Sequence, residues 1–336
     1  MAAAGGSSSK RTWVVDVEKK LKEADKSAEV LRWERHCIYR VPPCITNIKC
    51  RAQVVSLGPF HHGDLDLRPM EEHKCRALWQ LLQRAERTFD ELVDGVEDIA
   101  EQLQGAYMDL DGEWRGGGRE RFLAMMIFDG CFLLEVMRWT AADGKQVSDY
   151  AHNDPIFSPH GTLNMVPYIR RDMLMLENQL PLLLLQKLVE VESGEPPFCL
   201  VASALAHLYV LAMAALSIKR EQRLHQPNGA GISSPIIRPI STRHRPRAPP
   251  LDVFRRSMLT VQAEQYVEPA RHPVSVDDST EYMFLNVMAF ERLHVGAGND
   301  VTDYVFFMNN IIKPAKDVEL LSTRPWPSCS TPFPGM

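Results

Sequence analysis

The segment Ile169–Leu188, IRRDMLMLENQLPLLLLQKL, decides the fold. Ile169, Met173, Leu176, Leu180, Leu184 and Leu188 recur at steps of three and four, the spacing of one helical face. Pro181 breaks the pattern, because its ring clashes with the carbonyl four residues back. The spacing therefore predicts two helices, or one kinked helix, with Pro181 near the second start. The run Leu180–Leu185 is apolar on all sides, so it predicts burial on most faces. Glu177, Asn178 and Gln179 lie between two apolar halves, and buried polar groups there must find partners.

Outward from this spine, Arg121–Trp139 (RFLAMMIFDGCFLLEVMRW) reads as a second strongly apolar helix carrying Asp129, Gly130 and Glu135. Leu176, Leu180, Leu184, Phe128, Phe132 and Leu205 are expected in one buried cluster. Glu177, Asn178, Pro181, Asp129 and Glu135 join the residues assigned to the structural core. Pro69 opens a helix at its first turn. Leu78, Leu81, Leu82, Ala85, Phe89 and Leu92 give it an apolar face, continued by Val96, Ile99, Leu103, Tyr107 and Leu110 on a further helix. Val14, Val17, Leu21, Ala24, Ala28 and Leu31, with charged residues between them, predict an amphipathic helix of about five turns. Pro42 and Pro43 force extended backbone after it. Ala52–Asp64 reads as a short strand entering a Gly-Pro turn. Trp114–Glu120 reads as a flexible break and Ala141–Gly161 as a polar loop. Leu251–Val261 reads as a strand, while Thr280–Arg292 and Thr302–Leu321 return to helical spacing.

These readings predict a mainly α protein, a multi-helix globular bundle with a few short strands near Val54 and Leu251. They divide the chain into a disordered N-terminus (1–12), a main helical domain (13–218) and a basic linker or loop (219–256). A C-terminal helical part (257–321) packs on the main domain, and a disordered tail (322–336) follows. The linker holds nine basic side chains against two acids, and its six prolines forbid a stable element across most of it. Residues 225–250 are accordingly expected to be mobile and cut first by proteases.

With 336 residues, 45% hydrophobic and 24% charged, the composition is ordinary for a globular chain. A net charge of −5 argues against a general nucleic-acid binder. The seven cysteines are odd in number and lack CxxC spacing, which predicts reduced thiols in a cytosolic setting. MAAAGGSSSKRTW has no apolar stretch of the secretory kind. Phe198–Ile218 contains no Asp, Glu, Lys or Arg, is long enough for a bilayer core of about 30 Å, and is followed by Lys219 and Arg220. Ser203, His207, Tyr209 and Ser217 interrupt it, so a buried core helix is the reading taken and a membrane span the alternative.

Three constellations carry potential chemistry. His61, His62, Asp64, Glu72 and His73 offer metal-ligand types within thirteen residues, but no HExxH or paired spacing accompanies them. A turn held by histidine hydrogen bonds is the reading taken. Asp129, Glu135, Asp172 and Glu177 are acids in apolar helices. A carboxylate pair there would suit acid–base hydrolysis; pairing with Arg121, Arg138, Arg170 or Arg171 is the reading taken. Gly116–Gly118 lacks the GxxxxGK[ST] pattern of a phosphate loop, and no GxSxG elbow or dinucleotide fingerprint occurs. No catalytic, cofactor-binding or metal-binding residue is assigned.

Several blocks in one order resemble the plant family called domain of unknown function 247. They are YRVPPCI (Tyr39–Ile45), VVSLGPFHHGD (Val54–Asp64), MEEHKCRAL (Met70–Leu78), MMIFDGCFLLE (Met125–Glu135), NDPIF (Asn153–Phe157) and RRDMLMLENQLPLLLLQKL (Arg170–Leu188). VDDSTEYMFLNVMAFE (Val276–Glu291) and VTDYVFFMNNIIKPAKDVELL (Val301–Leu321) complete the set. The resemblance implies a predominantly helical plant protein with no known enzymatic activity. It also implies membrane anchoring through a hydrophobic C-terminal helix and, from grass members linked to self-incompatibility, recognition of a partner protein. This chain departs from the family pattern in the Pro/Arg-rich stretch after Ile218 and in TRPWPSCSTPFPGM, so it reads as a truncated or divergent copy. The resulting expectation is a cytoplasmic, non-enzymatic interaction or signalling protein with an unknown protein partner and no cofactor. A membrane-associated protein is the alternative, and a hydrolase using the helix carboxylates the third reading.

Overall fold

Helix α5, Arg119–Ala141, has apolar side chains on every face from Phe122 to Trp139, and only burial all round removes them from water. The computed structural model, which describes residues 12–23, 36–42, 51–141, 150–194, 248–264 and 278–312, sets this helix at the centre of the fold. Around it pack α2 (Pro69–Ala85), α3 (Phe89–Glu97) and α8 (Leu182–Ser193). Two glycines permit close approach to α8. A Cβ on Gly130 of α5 would lie 2.4 Å from Leu188 Cδ1, and one on Gly95 of α3 would lie 2.6 Å from Val191 Cγ2.

Pro69 opens α2 as expected. The apolar face read as continuous to Leu92 is instead cut after Ala85, where Glu86 takes a left-handed φ of 52°. Thr88 then starts α3 with a capping box: its hydroxyl accepts from the Glu91 N–H, and its own N–H donates to the Glu91 carboxylate at 2.7 Å. Short α4 (Ala100–Gln104) leads to Tyr107, which forms an isolated bridge with Ile38. Among the described residues that bridge is the whole of the β structure. The strand expected near Val54 is irregular chain, because its N–H groups go to side chains rather than to a neighbouring strand. The strand expected over Leu251–Val261 is helix instead, lying within α9 (Pro250–Glu264), which Pro250 opens. Pro250 suits that position, since the missing N–H needs no partner there. This helix starts inside the stretch read as a linker.

The spine forms two helices. After α6 (Pro159–Asn164) come α7 (Val166–Met173) and α8, with Pro181 in extended conformation (φ −62°, ψ 135°) capping the second. Between them runs a non-helical break from Leu174 to Pro181, wider than a kink. Leu176, Leu180, Leu184 and Phe132 are buried in one core, as expected, while Phe128 is half-buried with its ring 6.3 Å from that of Phe89. Helices α10 (Asp278–Leu293) and α11 (Asp300–Ile311) complete the described fold, with α10 packing on α7, α9 and α11. The N-terminal helix α1 spans Thr12–Glu23 and buries none of its apolar side chains.

No described helix is long and apolar enough to cross a membrane. Phe198–Ile218, Leu205, most of the basic stretch, the continuations of the first and last helices, and the tail lie outside the described residues.

Leu180 tests this core. Leu180→Ala is expected to lower unfolding free energy by about 2–5 kcal/mol, the range for a large-to-small core change. Leu163→Ala, at an exposed position, should change it by less than about 0.5 kcal/mol. Urea unfolding followed by circular dichroism measures both.

Candidate functional site

The segment Gln53–Gly58 enters the interior from exposed Gln53 and is buried from Val55 on, without a strand partner, and buried backbone N–H groups must be paired. Five side-chain bonds from the spine and α5 meet that demand. Asp172 Oδ2 accepts from the N–H groups of Gln53, Val54 and Val55 at 3.0, 2.6 and 3.0 Å. Asn178 Oδ1 accepts from the Leu57 N–H at 2.7 Å, and its amide donates back to the Val55 carbonyl at 3.0 Å. Asp129 Oδ2 accepts from the Gly58 N–H at 2.8 Å. Gly58 has φ 79°, and a Cβ there would sit 2.9 Å from Tyr107 Oη, so both conformation and space require glycine.

A second layer holds these acceptors. Arg171 donates to Asp172 Oδ1 at 2.9 Å and to Gln53 Oε1 at 2.6 Å, with its guanidinium over the rings of Tyr168 and Tyr282. Lys74 is fully buried, its Nζ 2.6 Å from Asp129 Oδ1, 2.6 Å from Glu71 Oε1 and 3.2 Å from Ser56 Oγ. Gln179 donates to the carbonyls of Met173 and Met175 and accepts from the Leu251 N–H at 3.0 Å. Its own carbonyl accepts from the Tyr107 hydroxyl at 2.9 Å. Glu177, half-buried at the rim, accepts from the Val41 N–H at 2.6 Å and lies 3.4 Å from His61 Nε2.

Burial pushes the Asp172 carboxyl above its usual range, opposed by the Val55 and Val54 N–H groups and Arg171. Burial does the same to Asp129, opposed by Lys74 and the Gly58 N–H. Burial alone would lower Lys74, but the charges of Asp129 and Glu71 outweigh it and hold the ammonium above its ordinary value. Burial likewise raises Glu177, yet the bonds from His61 and Val41 prevail and its carboxyl sits below the usual range.

The sequence-assigned core residues Leu176, Glu177, Asn178, Leu180, Pro181, Leu184, Asp129 and Phe132 thus meet around one polar clasp or pack beside it. Glu135 lies apart, in a charged group with Arg84 (2.6 Å), Arg138 (3.0 Å), Tyr150 and, through both arginines, Glu192. Of the arginines expected as partners, Arg138 and Arg171 serve. Arg121 pairs with Glu113 instead. Asp129 takes Lys74, which the sequence reading missed. The signal was present: Met70, Lys74, Ala77, Leu78 and Leu81 form the buried stripe of α2, so Lys74 occupies a core position.

The histidine-rich turn disperses. His61 faces Glu177, His62 packs edge-on against Trp114, Asp64 pairs with Arg51 at 2.7 Å, and His73 contacts Arg76 at 2.9 Å. Among the described residues no three His, Cys, Asp or Glu side chains converge as metal ligands. Cys75 and Cys131 are free thiols, and burial raises that of Cys131.

A surface of different character lies on α11. The helix is fixed at its first turn, where Val301 is buried and Glu291 accepts from the N–H groups of Val301 and Thr302 at 3.1 and 2.9 Å. From Asp303 to Ile311 no side chain is buried. Tyr304, Phe306, Phe307 and Ile311 are 39%, 53%, 60% and 55% exposed. Tyr304, Phe307 and Ile311, at steps of three and four, share one side.

Asp172→Ala should cost about 3–5 kcal/mol in urea unfolding, because it takes the carboxylate from buried Arg171 and the acceptor from three N–H groups, that of Val55 buried. Glu177 makes a pH prediction. Its folded pKa is lowered, so its stabilisation is present above the ordinary value of 4.5 and lost as pH falls through the folded value. Asp129 and Asp172 act with opposite sign, because raised folded values favour proton uptake by the folded state. Between pH 7 and pH 3.5, the urea midpoint of Glu177→Gln should therefore fall less than that of the unsubstituted chain.

The family model for a plant protein of unknown function, domain of unknown function 247, matches residues 38–273 and 272–325. UPF0481 protein At3g47200 of Arabidopsis thaliana is 27% identical, over 86% of this chain and 67% of its own length. Putative UPF0481 protein At3g02645 of the same plant is 26% identical, over 58% of this chain and 35% of its own length. This chain thus spans about two thirds of the first relative and about a third of the second. No solved structure matches. The blocks that build the clasp, VVSLGPFHHGD, MEEHKCRAL and RRDMLMLENQLPLLLLQKL, all lie within the matched residues, and the chain belongs to the plant domain of unknown function 247 family.

Proposed function

We propose that this chain is a cytoplasmic, non-enzymatic interaction protein whose helical core presents α11 to a protein partner. The exposed aromatic side of α11 carries this reading. Phe and Tyr side chains left in water at helical spacing are the anchors with which helix surfaces fill a partner's pockets. The fold supplies a rigid base for them through Val301 and the Glu291 cap. The buried acids support the non-enzymatic part of the reading. Asp172 and Asp129 are engaged by backbone N–H groups and by Arg171 and Lys74, which holds their oxygens in fixed bonds.

The test uses the full chain with a photo-crosslinking residue at position 306 to capture a partner from plant extract. That protein is then purified and its affinity measured directly. Phe306→Ser with Phe307→Ser should leave the melting temperature within about 2 °C and weaken binding at least about tenfold, as expected for loss of two aromatic anchors. Equal affinity for the double variant would overturn the assignment. Reproducible hydrolytic turnover that co-purifies with the folded chain would overturn the non-enzymatic reading.

A further inference from the structure

Helix α1 poses the same problem as α11 from the other side. Trp13, Val14, Val17 and Leu21 fall along one side of a twelve-residue helix, and Trp13 and Leu21 are 60% and 68% exposed. An amphipathic helix gains its stability chiefly by burying that side against a partner. We propose that α1 is the built-in occupant of the α11 face, docking antiparallel on Tyr304, Phe307 and Ile311 within the same chain. This rests on the reading of α11 as a docking surface and names what covers it before a partner does.

Length, tether and charge agree on the arrangement. Each helix has twelve residues, about 18 Å, so the two faces match end to end. The chain re-enters the described fold at His36, and Tyr39 Oη lies 2.7 Å from His294 Nδ1, just ahead of the first turn of α11. Residues 24–35, which join Glu23 to His36, span at most about 40 Å, ample for α1 to reach α11. The C-terminal end of α1 is the tethered end, so it meets the start of α11 and the pair runs antiparallel. That register sets Lys20 of α1, which flanks its apolar side, and the long side chain of Lys22 within reach of Asp303 and of Asp300, which also faces Arg255 at 4.0 Å, in the first turn of α11; Lys19 lies on the far side. It also lays Trp13 and Val14 towards Ile311 and Phe307, with Leu21 towards Tyr304. Opposite charges at one end and apolar side chains along the rest define a single orientation, since a parallel arrangement would separate the lysines from the aspartates.

Zero-length carbodiimide coupling tests this on the full chain. It joins a lysine Nζ to an aspartate carboxyl as an amide with loss of water, and only groups in contact react. Isopeptide links from Lys20 or Lys22 to Asp300 or Asp303 are expected in the monomer fraction. Their yield should fall at least fivefold in Leu21→Ser and in Phe307→Ser, both of which leave the core intact. Three results would overturn the proposal: no such links, links unchanged in the variants, or links found only between isotopically light and heavy copies, which would assign the face to a second copy. Retention of α1 on phosphatidylcholine–phosphatidylserine vesicles with loss of the links would assign the helix to a lipid surface and overturn it too. The outcome is separable from the partner reading. Absent links with partner binding still weakened by the Phe306 and Phe307 substitutions would remove α1 as occupant and leave α11 as the docking face.

Discussion

One carboxylate oxygen, Asp172 Oδ2, takes the place of a neighbouring strand for the N–H groups of Gln53, Val54 and Val55. A chain segment in a helical interior has no ladder to join, and each unpaired N–H there costs free energy comparable to a lost hydrogen bond. The bundle resolves this with side chains from the spine, and the rest of the core is arranged so that they can reach. The break between α7 and α8 exists in that role: Glu177, Asn178 and Gln179 leave the helical path and aim at residues 41, 57 and 251. Pro181 closes the break by starting α8.

Charge compensation ties this clasp to the helices behind it. Asp129 sits in the middle of the central apolar helix and is tolerable there because Lys74 crosses from α2 to meet it. Removing Lys74 would leave the buried Asp129 without its counter-charge, and removing Asp129 would leave Lys74 only Glu71, so α2, α5 and the segment around Gly58 depend on one another. Gly130, one residue on from Asp129, lets Leu184 and Leu188 of α8 press against α5. The polar clasp and the tight apolar packing therefore share one turn of α5, which accounts for a sequence as unusual as FDGCF inside a greasy helix. The periphery is built differently. Glu291 uses its carboxylate to start α11, and beyond that turn the helix leaves aromatic side chains in water. The molecule thus joins a core with interlocked polar groups to a helix whose aromatic side chains are exposed.

The sequence by itself determined the helical class, the two-helix spine with its proline start, the burial of Leu176, Leu180 and Leu184, the helix opening at Pro69 and the family. Periodicity and proline stereochemistry are local, and a helix writes them into the spacing of its residues. It also showed that Glu177, Asn178 and Gln179 must be satisfied, without naming their partners. Where local signals conflicted, the reading went astray. VVSL has the β-branched content of a strand and LDVFRRSMLTV reads either way, while the Thr88–Glu91 capping box was masked by an apolar face running across it. Only the tertiary structure decided that Asp172 would serve three N–H groups more than a hundred residues away, that Lys74 would neutralise Asp129, and that α11 would keep its aromatic side in solvent. Those outcomes depend on which helices meet, and hydrogen bonds and ion pairs act only at contact distance, which residue spacing along one segment does not encode.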